Sequence, residues 1–227
     1  MPDIADNLAR VRERIELAAA RVGRDPKEIK LVAVSKGQSL ERIEQAVAAG
    51  VEILAENFVQ EARPKILKLR GKVSWHFVGH LQTNKANYAV ELFDLIQSID
   101  SIKLAQEVNR QGGKQGREVP VLVQVNISGE RTKFGVERGQ ALALIKETAA
   151  MKNLKLVGLM TIPPLSDDPS NSRPYYVSLR KFKEEVASAG IPILELSMGM
   201  SADFEVAVEE GATLVRVGTA IFGPRGS

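Results

Sequence analysis

The segment VPVLVQVN, residues 119–126, is an apolar run of strand length without a charged side chain. Such a continuous run is typical of a parallel β-strand that helices cover on both faces, whereas a half-exposed strand alternates apolar and polar residues. We therefore predict that this segment lies inside a parallel sheet. Seven further segments are apolar over a similar length, at residues 29–35, 52–57, 73–79, 94–99, 155–161, 192–197 and 213–218.

Helix-like stretches separate the predicted strands. In residues 4–22 the apolar side chains are three or four positions apart, which indicates a helix before the first strand. The chain has about eight predicted strands, and a helix follows nearly all of them. The simplest fold for this order is an α/β protein with a closed (β/α)8 TIM barrel and an extra N-terminal helix. A doubly wound open sheet is the alternative, and we predict one domain over residues 1–227. The other helix-like stretches are residues 39–49, 57–69, 84–92, 101–111, 137–151, 173–189 and 202–210.

The composition excludes several classes of function. The chain has no cysteine, hence no disulfide, no thiolate nucleophile and no cysteine-ligated metal, and its two histidines are too few for a histidine-rich metal site. The net charge is +3, and the basic residues are scattered among acidic ones, which does not favour nucleic-acid binding. The N-terminal residues are too charged for a signal peptide, and no apolar run approaches the ~20 residues that span a membrane. We expect a cytoplasmic protein.

Lys36 follows the first predicted strand directly, at the end of a barrel where the functional residues gather. Desolvation lowers the pKa of a lysine in such a place, and the neutral amine can form a Schiff base with a carbonyl. The alternative is that Lys36 extends its ammonium to solvent or pairs with Glu56 on the next strand.

Two loops near the C-terminus have the composition of a phosphate site. SMGMSADF (197–204) and RVGTAIFG (216–223) each join a strand to a helix through a glycine-bearing loop. Backbone N–H groups there, with a serine or threonine hydroxyl, can cradle a phosphate. The alternative for Ser201 is an ordinary helix N-cap.

Four other polar residues lie in the predicted strands or in the loops that follow them. Arg216 alternates with apolar neighbours inside the last strand, so a carboxylate of the protein or an acceptor on a ligand must pair with it. Asn57 can bond a ligand or cap the helix that begins at Phe58. Lys133 is most simply a solvated loop residue, and His76 either faces the barrel interior or is a hydrogen-bonded core histidine.

Several blocks together resemble the pyridoxal phosphate homeostasis protein family, the single-domain relatives of the alanine racemase N-terminal barrel. The likeness runs from about residue 5 to the C-terminal end with these blocks in order, and the last block is long and specific. The blocks are AVSK, ENFVQEA, WHFVGHLQTNK, VNISGE, LVGLMTIP and LSMGMSADFEVAVEEGATLVRVGTAIFG.

The resemblance implies a fold-type III barrel with pyridoxal 5′-phosphate (PLP) held on Lys36 as an internal aldimine. By position, Arg216 matches the arginine that faces the pyridine nitrogen, and Asn57 matches an asparagine near the cofactor. Lys133 matches a loop lysine that meets the cofactor as it arrives or leaves. The phosphate-binding positions match Ser201, Gly218 and Thr219.

The sequence also departs from the family pattern. Ala55 stands where glycine usually precedes Glu-Asn, and Gly-Gln-Ser follows Lys36 where a threonine and a proline are common. Neither change removes an expected cofactor contact, but both affect the shape of the first two loops.

The expected function is reversible binding of PLP for intracellular buffering and delivery to PLP-dependent apoenzymes, with effects on amino-acid and keto-acid balance. A cationic arginine beside the ring nitrogen leaves the ring a weak electron sink, which disfavours carbanion chemistry. The racemases take a second base, a tyrosine, from another domain that we do not expect here, and the same absence favours a monomer. No tyrosine is an evident substitute among Tyr88, Tyr175 and Tyr176.

Three alternatives remain open at the level of the sequence. The first is a weak PLP-dependent amino-acid racemase, which requires a second base opposite Lys36. The second is an aldolase that uses Lys36 without a cofactor, and it predicts a colourless protein. The third is a purely structural interaction protein, which leaves the polar strand ends unexplained.

Overall fold

The computed structural model of the chain describes residues 3–130 and 132–223. Helices and strands alternate along it. The strands are β1 Lys30–Val34, β2 Ile53–Glu56, β3 Ser74–Phe77, β4 Leu95–Ile99, β5 Val119–Asn126, β6 Val136–Glu137, β7 Leu154–Met160, β8 Glu195–Ser197 and β9 Leu214–Val217. The α-helices are α1 Ile4–Arg21, α2 Leu40–Ala48, α3 Val59–Leu69, α4 Ala86–Leu92, α5 Ile102–Gln115, α6 Arg138–Ala149, α7 Arg173–Ser188, α8 Phe204–Glu209 and α9 Thr219–Phe222.

The sheet closes on itself. Its strand order is β4-β3-β2-β1-β9-β8-β7-β5, and β4 also pairs with β5, so eight parallel strands form a complete ring. The two-residue β6 pairs with the end of β5 outside this ring. The predicted (β/α)8 barrel with an N-terminal helix is therefore confirmed, and the open-sheet alternative is wrong.

Along each strand the side chains point alternately into the barrel and towards the helices, which divides the core into two parts. Val32, Ala55, Leu122 and Met160 belong to an apolar cluster that lines the barrel interior. Intervening residues such as Ala33 belong to the larger layer between the strands and the helices. Both faces of each strand are thus buried, which explains the continuous apolar runs in the sequence.

Helix α5 is longer than the sequence predicts. The sequence predicts an end at residue 111, but α5 continues to Gln115 through Gly112 and Gly113. An added Cβ on Gly112 would lie 2.9 Å from the carbonyl oxygen of Arg117, and one on Gly113 would lie 2.9 Å from the side chain of Asn153. The two glycines therefore serve close packing and do not end the helix.

Helix α1, near the N-terminus, packs against α8 and α9, which are the last two helices described. Asn7 donates a hydrogen bond from Nδ2 to the carbonyl oxygen of Ile221 in α9, at 2.9 Å. None of the described helices is both long and apolar enough to cross a membrane.

Candidate functional site at the C-terminal rim of the barrel

Lys36 lies half-buried in a tight turn that follows β1. The amide of Gln38 donates to the carbonyl oxygen of Ser35 at 3.1 Å, which closes the turn. Gly37 has a φ of 71°, the left-handed conformation that a turn of this kind takes at its third residue. The glycine after Lys36, which departs from the family pattern, therefore gives this turn its shape.

The carboxylate of Glu56 forms an ion pair with a lysine of helix α3. This carboxylate is fully buried and lies 2.8 Å from Nζ of Lys65 in α3. Ser35 donates to the same carboxylate oxygen at 2.6 Å. The buried acid at the end of β2 is thus engaged on the helix side of the barrel wall.

Asn57 follows β2 at the same level as Lys36 follows β1. Val34 and Ala55 are paired in register, and each predicted site residue comes two positions later. Helix α3 begins at Val59 and has no side-chain cap, so the interpretation of Asn57 as a cap is wrong.

Gly79, after β3, packs against the backbone of Asn57. A Cβ on Gly79 would lie 2.1 Å from the carbonyl oxygen of Asn57, so only glycine fits there. Asn57 also lines a cavity of about 410 Å³ beside the rim, together with His80, Gln124 and Phe134. The other five predicted site residues are not part of the lining of this cavity.

Ser201 joins the loops that follow β8 and β9. Its Oγ accepts hydrogen bonds from the amide of Gly218 at 3.2 Å and from the amide of Ala220 at 3.4 Å. Helix α8 begins at Phe204, with Asp203 in the N-cap position, so the interpretation of Ser201 as an N-cap is wrong. The two amides instead converge on one acceptor oxygen at the rim.

Gly199 and Gly218 shape these two loops differently. Gly199 has a φ of 90°, and an added Cβ would lie 2.5 Å from the Cβ of Ala207. At Gly218 an added Cβ would meet the carbonyl oxygen of Val34 at an ordinary 3.4 Å. Gly199 is required by the fold, whereas Gly218 leaves the backbone open beside β1.

Arg216 faces the barrel interior from β9 and is 4% exposed. Its Nη1 donates to Ser197 Oγ at 2.6 Å and its Nη2 donates to the carbonyl oxygen of Thr161 at 2.9 Å. Burial lowers the pKa of Arg216 to about 10, so the group is still a cation at neutral pH. Its partners are therefore a hydroxyl and a carbonyl, and among the described residues no carboxylate forms a salt bridge with it.

A row of hydrogen bonds crosses the barrel from Arg216. Ser197 Oγ donates to Oε1 of Gln97 at 2.6 Å, and Nε2 of Gln97 lies 2.9 Å from Nδ1 of His76. Burial lowers the pKa of His76 to about 4, so the neutral ring accepts from the amide. His76 faces the barrel interior and is also hydrogen-bonded, so both interpretations that the sequence left open are correct.

Tyr176 and Asp203 form a buried pair near Arg216. The phenol donates to Oδ2 of Asp203 at 2.7 Å, and Ser172 donates to the same oxygen at 2.7 Å. Burial and the adjacent carboxylate raise the pKa of Tyr176. The tyrosine is therefore a neutral hydrogen-bond donor to the protein.

The predicted residues gather on one arc of the rim. They follow or belong to β2, β1, β9 and β8, which are consecutive around the barrel. Thr219 is exposed at the start of α9, next to Gly218. Lys133 is half-buried in the loop after β5, on a different arc. Sequence reasoning missed Gln97, whose only signal is a polar residue in the middle of an apolar strand.

A parallel barrel with a lysine, a buried arginine and converging amides at one rim is typical of proteins that bind a phosphorylated aldehyde. Residues 7–226 match the family described as "Alanine racemase, N-terminal domain". The chain belongs to this family, which confirms the resemblance carried by the sequence motifs.

Individual relatives cover nearly the whole chain. The chain is 42% identical over 222 residues to the pyridoxal phosphate homeostasis protein of Aquifex aeolicus (strain VF5), with 97% of each chain covered. It is 41% identical over 235 residues to the protein of the same name from Escherichia coli (strain K12), covering 99% of this chain and 98% of that one. The structure of PipY from Synechococcus elongatus PCC7942 with PLP bound matches with a TM-score of 0.85 and 35% identity, over 97% of this chain and 100% of PipY.

Proposed function

We propose that this chain binds PLP reversibly at the rim arc and acts in intracellular PLP homeostasis, as a buffer and a donor to PLP-dependent apoenzymes. The observation that carries the proposal is the convergence of Lys36, Arg216 and the Ser201–Gly218 contact on consecutive strands. The names of the relatives and the PLP-bound structure of PipY support it.

The donor set fits PLP. The hydroxyls of Ser201 and Thr219 suit a phosphate because they can donate to its oxygens. The amides of Gly218 and Ala220 donate to Ser201 Oγ, which leaves the hydrogen of that hydroxyl for the phosphate. Arg216 suits the unprotonated ring nitrogen, which accepts a hydrogen bond. Lys36 would supply the primary amine with which the aldehyde of PLP condenses, with loss of water.

The same residues favour binding over efficient catalysis. A strong electron sink needs a protonated ring nitrogen, and the cationic Arg216 opposes that protonation. A racemase also needs a second base opposite the lysine. Tyr176 is fully buried and holds Asp203, Tyr88 is exposed on α4, and Tyr175 is half-buried on α7.

We further propose that residues 1–227 work as one domain and as a monomer in the cytoplasm. Sedimentation of the purified chain with and without PLP measures the oligomeric state. A weak PLP-dependent racemase is the competing function, and loss of α-deuterium from labelled amino acids detects it.

The visible absorbance of the purified protein tests the cofactor proposal. After incubation with PLP and reduction by borohydride, we expect a phosphopyridoxyl group on Lys36 in the peptide mass spectrum. Lys36→Ala is expected to remain colourless, whereas Lys133→Ala, a lysine change on another arc of the rim, retains the band. An unlabelled wild-type protein contradicts the proposal and favours the aldolase, which borohydride traps only with a carbonyl substrate.

A further inference from the structure

A buried charge cluster lies directly behind the turn that carries Lys36. Lys65, in α3, is 8% exposed, and its Nζ lies 2.8 Å from Oε1 of Glu56 and 2.7 Å from Oε1 of Glu61. Its third donated hydrogen bond, at 3.0 Å, goes to the backbone carbonyl oxygen of Ser35. The ammonium thus connects helix α3 to the end of β1.

The cluster holds both peptide groups that flank Lys36. The carbonyl of Ser35, on the N-terminal side, accepts from Lys65. The amide of Gly37, on the C-terminal side, donates to Oε1 of Glu61 at 2.6 Å. Because these two peptide groups define the direction in which the Lys36 side chain leaves the backbone, the cluster fixes that direction.

The arrangement is not explained by stability alone. Burying an ion pair contributes little net stability, since desolvation offsets most of the attraction. Here Oε2 of Glu56 is buried and makes no hydrogen bond, and burial raises the pKa of this carboxyl group. An apolar contact between α3 and β2 would fill the same space without these costs, but it would not hold the two peptide groups.

We propose that Lys65, held between Glu56 and Glu61, is a positioning residue that orients Lys36 for its reaction with an aldehyde. This inference rests on the proposed function, because it concerns the lysine that takes the cofactor. Lys65 acts through the turn and does not itself contact the ligand.

The central variant is Lys65→Met, which removes the ammonium and keeps an unbranched side chain. It leaves Glu56 buried without a cation, so the double variant Lys65→Met/Glu56→Gln is measured beside it. The matched control is Lys30→Met at the other end of β1, where Lys30 pairs with Glu195 at 2.6 Å. Glu61→Ala removes the acceptor of the Gly37 amide and covers the case in which the Lys65 variants fail to fold.

Three quantities are measured on each folded variant: the Kd for PLP, the visible circular dichroism per bound PLP, and the hydrogen-exchange rate of the Gly37 amide without PLP. Groups that orient the ligands of metal sites typically change affinity by about 10–100-fold when removed, and by analogy we expect a loss of that size in PLP affinity for Lys65→Met. The circular dichroism falls and Gly37 exchanges faster. Lys30→Met leaves all three at the wild-type values.

The double variant separates positioning from folding. We expect it to recover the thermal midpoint lost in Lys65→Met while its Kd stays raised. Recovery of the Kd together with the midpoint, or wild-type values in folded Lys65→Met, would overturn the inference. If the wild-type chain takes no PLP, the proposed function fails, whereas an unchanged Gly37 exchange rate rejects the positioning role independently.

Discussion

Ser197 and Arg216 lie on neighbouring strands, with the serine hydroxyl oxygen 2.6 Å from Nη1 of the arginine. The same hydroxyl donates to Gln97 on the opposite side of the barrel. One small side chain therefore accepts from the cation and donates to the amide, and it sets the guanidinium plane inside the barrel.

Ser197→Ala is expected to lower the free energy of unfolding by about 1–3 kcal/mol, because it removes one of the two hydrogen bonds that the buried Arg216 donates and leaves the buried amide oxygen of Gln97 without its donor. Urea denaturation measures the change. Ser188→Ala is the control, since its exposed hydroxyl bonds only to Glu184 within α7. Equal effects of the two changes would contradict the role given to Ser197.

Because His76 is buried as a neutral ring, we expect the free energy of unfolding to fall at acid pH. Its pKa is about 4 in the folded chain against 6.5 for the ordinary group, chiefly because of burial. The unfolded chain therefore binds more protons between these values, and stability falls as the pH drops from 6.5 towards 4. The contribution is roughly 3 kcal/mol at most.

His76→Gln isolates this contribution, because glutamine does not titrate and can still bond Gln97. Chemical denaturation at several pH values measures the slope for both proteins. The raised pKa of Glu56 acts in the opposite direction, but it is common to both proteins and cancels in the difference. Identical slopes would show that His76 is not held neutral.

The variants Gly199→Ala and Gly218→Ala should show that the first glycine is needed for stability and the second for PLP binding. Gly199→Ala forces a left-handed alanine against Ala207, which we expect to lower stability by about 1–3 kcal/mol. Gly218→Ala meets only ordinary contacts, so stability changes by less than about 0.5 kcal/mol. Its Kd for PLP nevertheless rises, because a methyl group stands beside the proposed phosphate site. A large loss of stability in Gly218→Ala would count against this division.

Ser201→Ala tests the phosphate assignment through two ligands. Hydrogen bonds to charged groups contribute about 1.5–3 kcal/mol, so the Kd for PLP should rise by about tenfold or more. The Kd for pyridoxal, which lacks the phosphate, should not change. A parallel rise for both ligands would place the serine away from the phosphate.

Most of the architecture was predictable from the sequence. The apolar runs locate the eight barrel strands, and the polar residues at their ends give the positions of Lys36, Asn57 and Arg216. In a parallel barrel those ends share one rim, so the arc follows from the order of the strands. The resemblance to a known family added the roles, which the residue types alone leave open.

The partners of these residues were not predictable. Gln97 and Ser197 are 100 residues apart and meet only because of the barrel register. The pairing between β4 and β5 contains an irregularity that no local pattern indicates. The ion pair of Glu56 with Lys65 was not predictable either, because a lysine on a helix is ordinarily solvated.

The pairing of β1 with β9 has a consequence for biosynthesis. Residue 216 leaves the ribosome about 180 residues after residue 36, which at 5–20 residues per second is on the order of ten seconds or more. Until then β1 lacks one neighbour, Asn7 has no Ile221 to bind, and the amine after β1 has no arginine or amide pair beside it. The nascent chain therefore cannot hold a cofactor with this set of residues until β9 and the loop after it have been made.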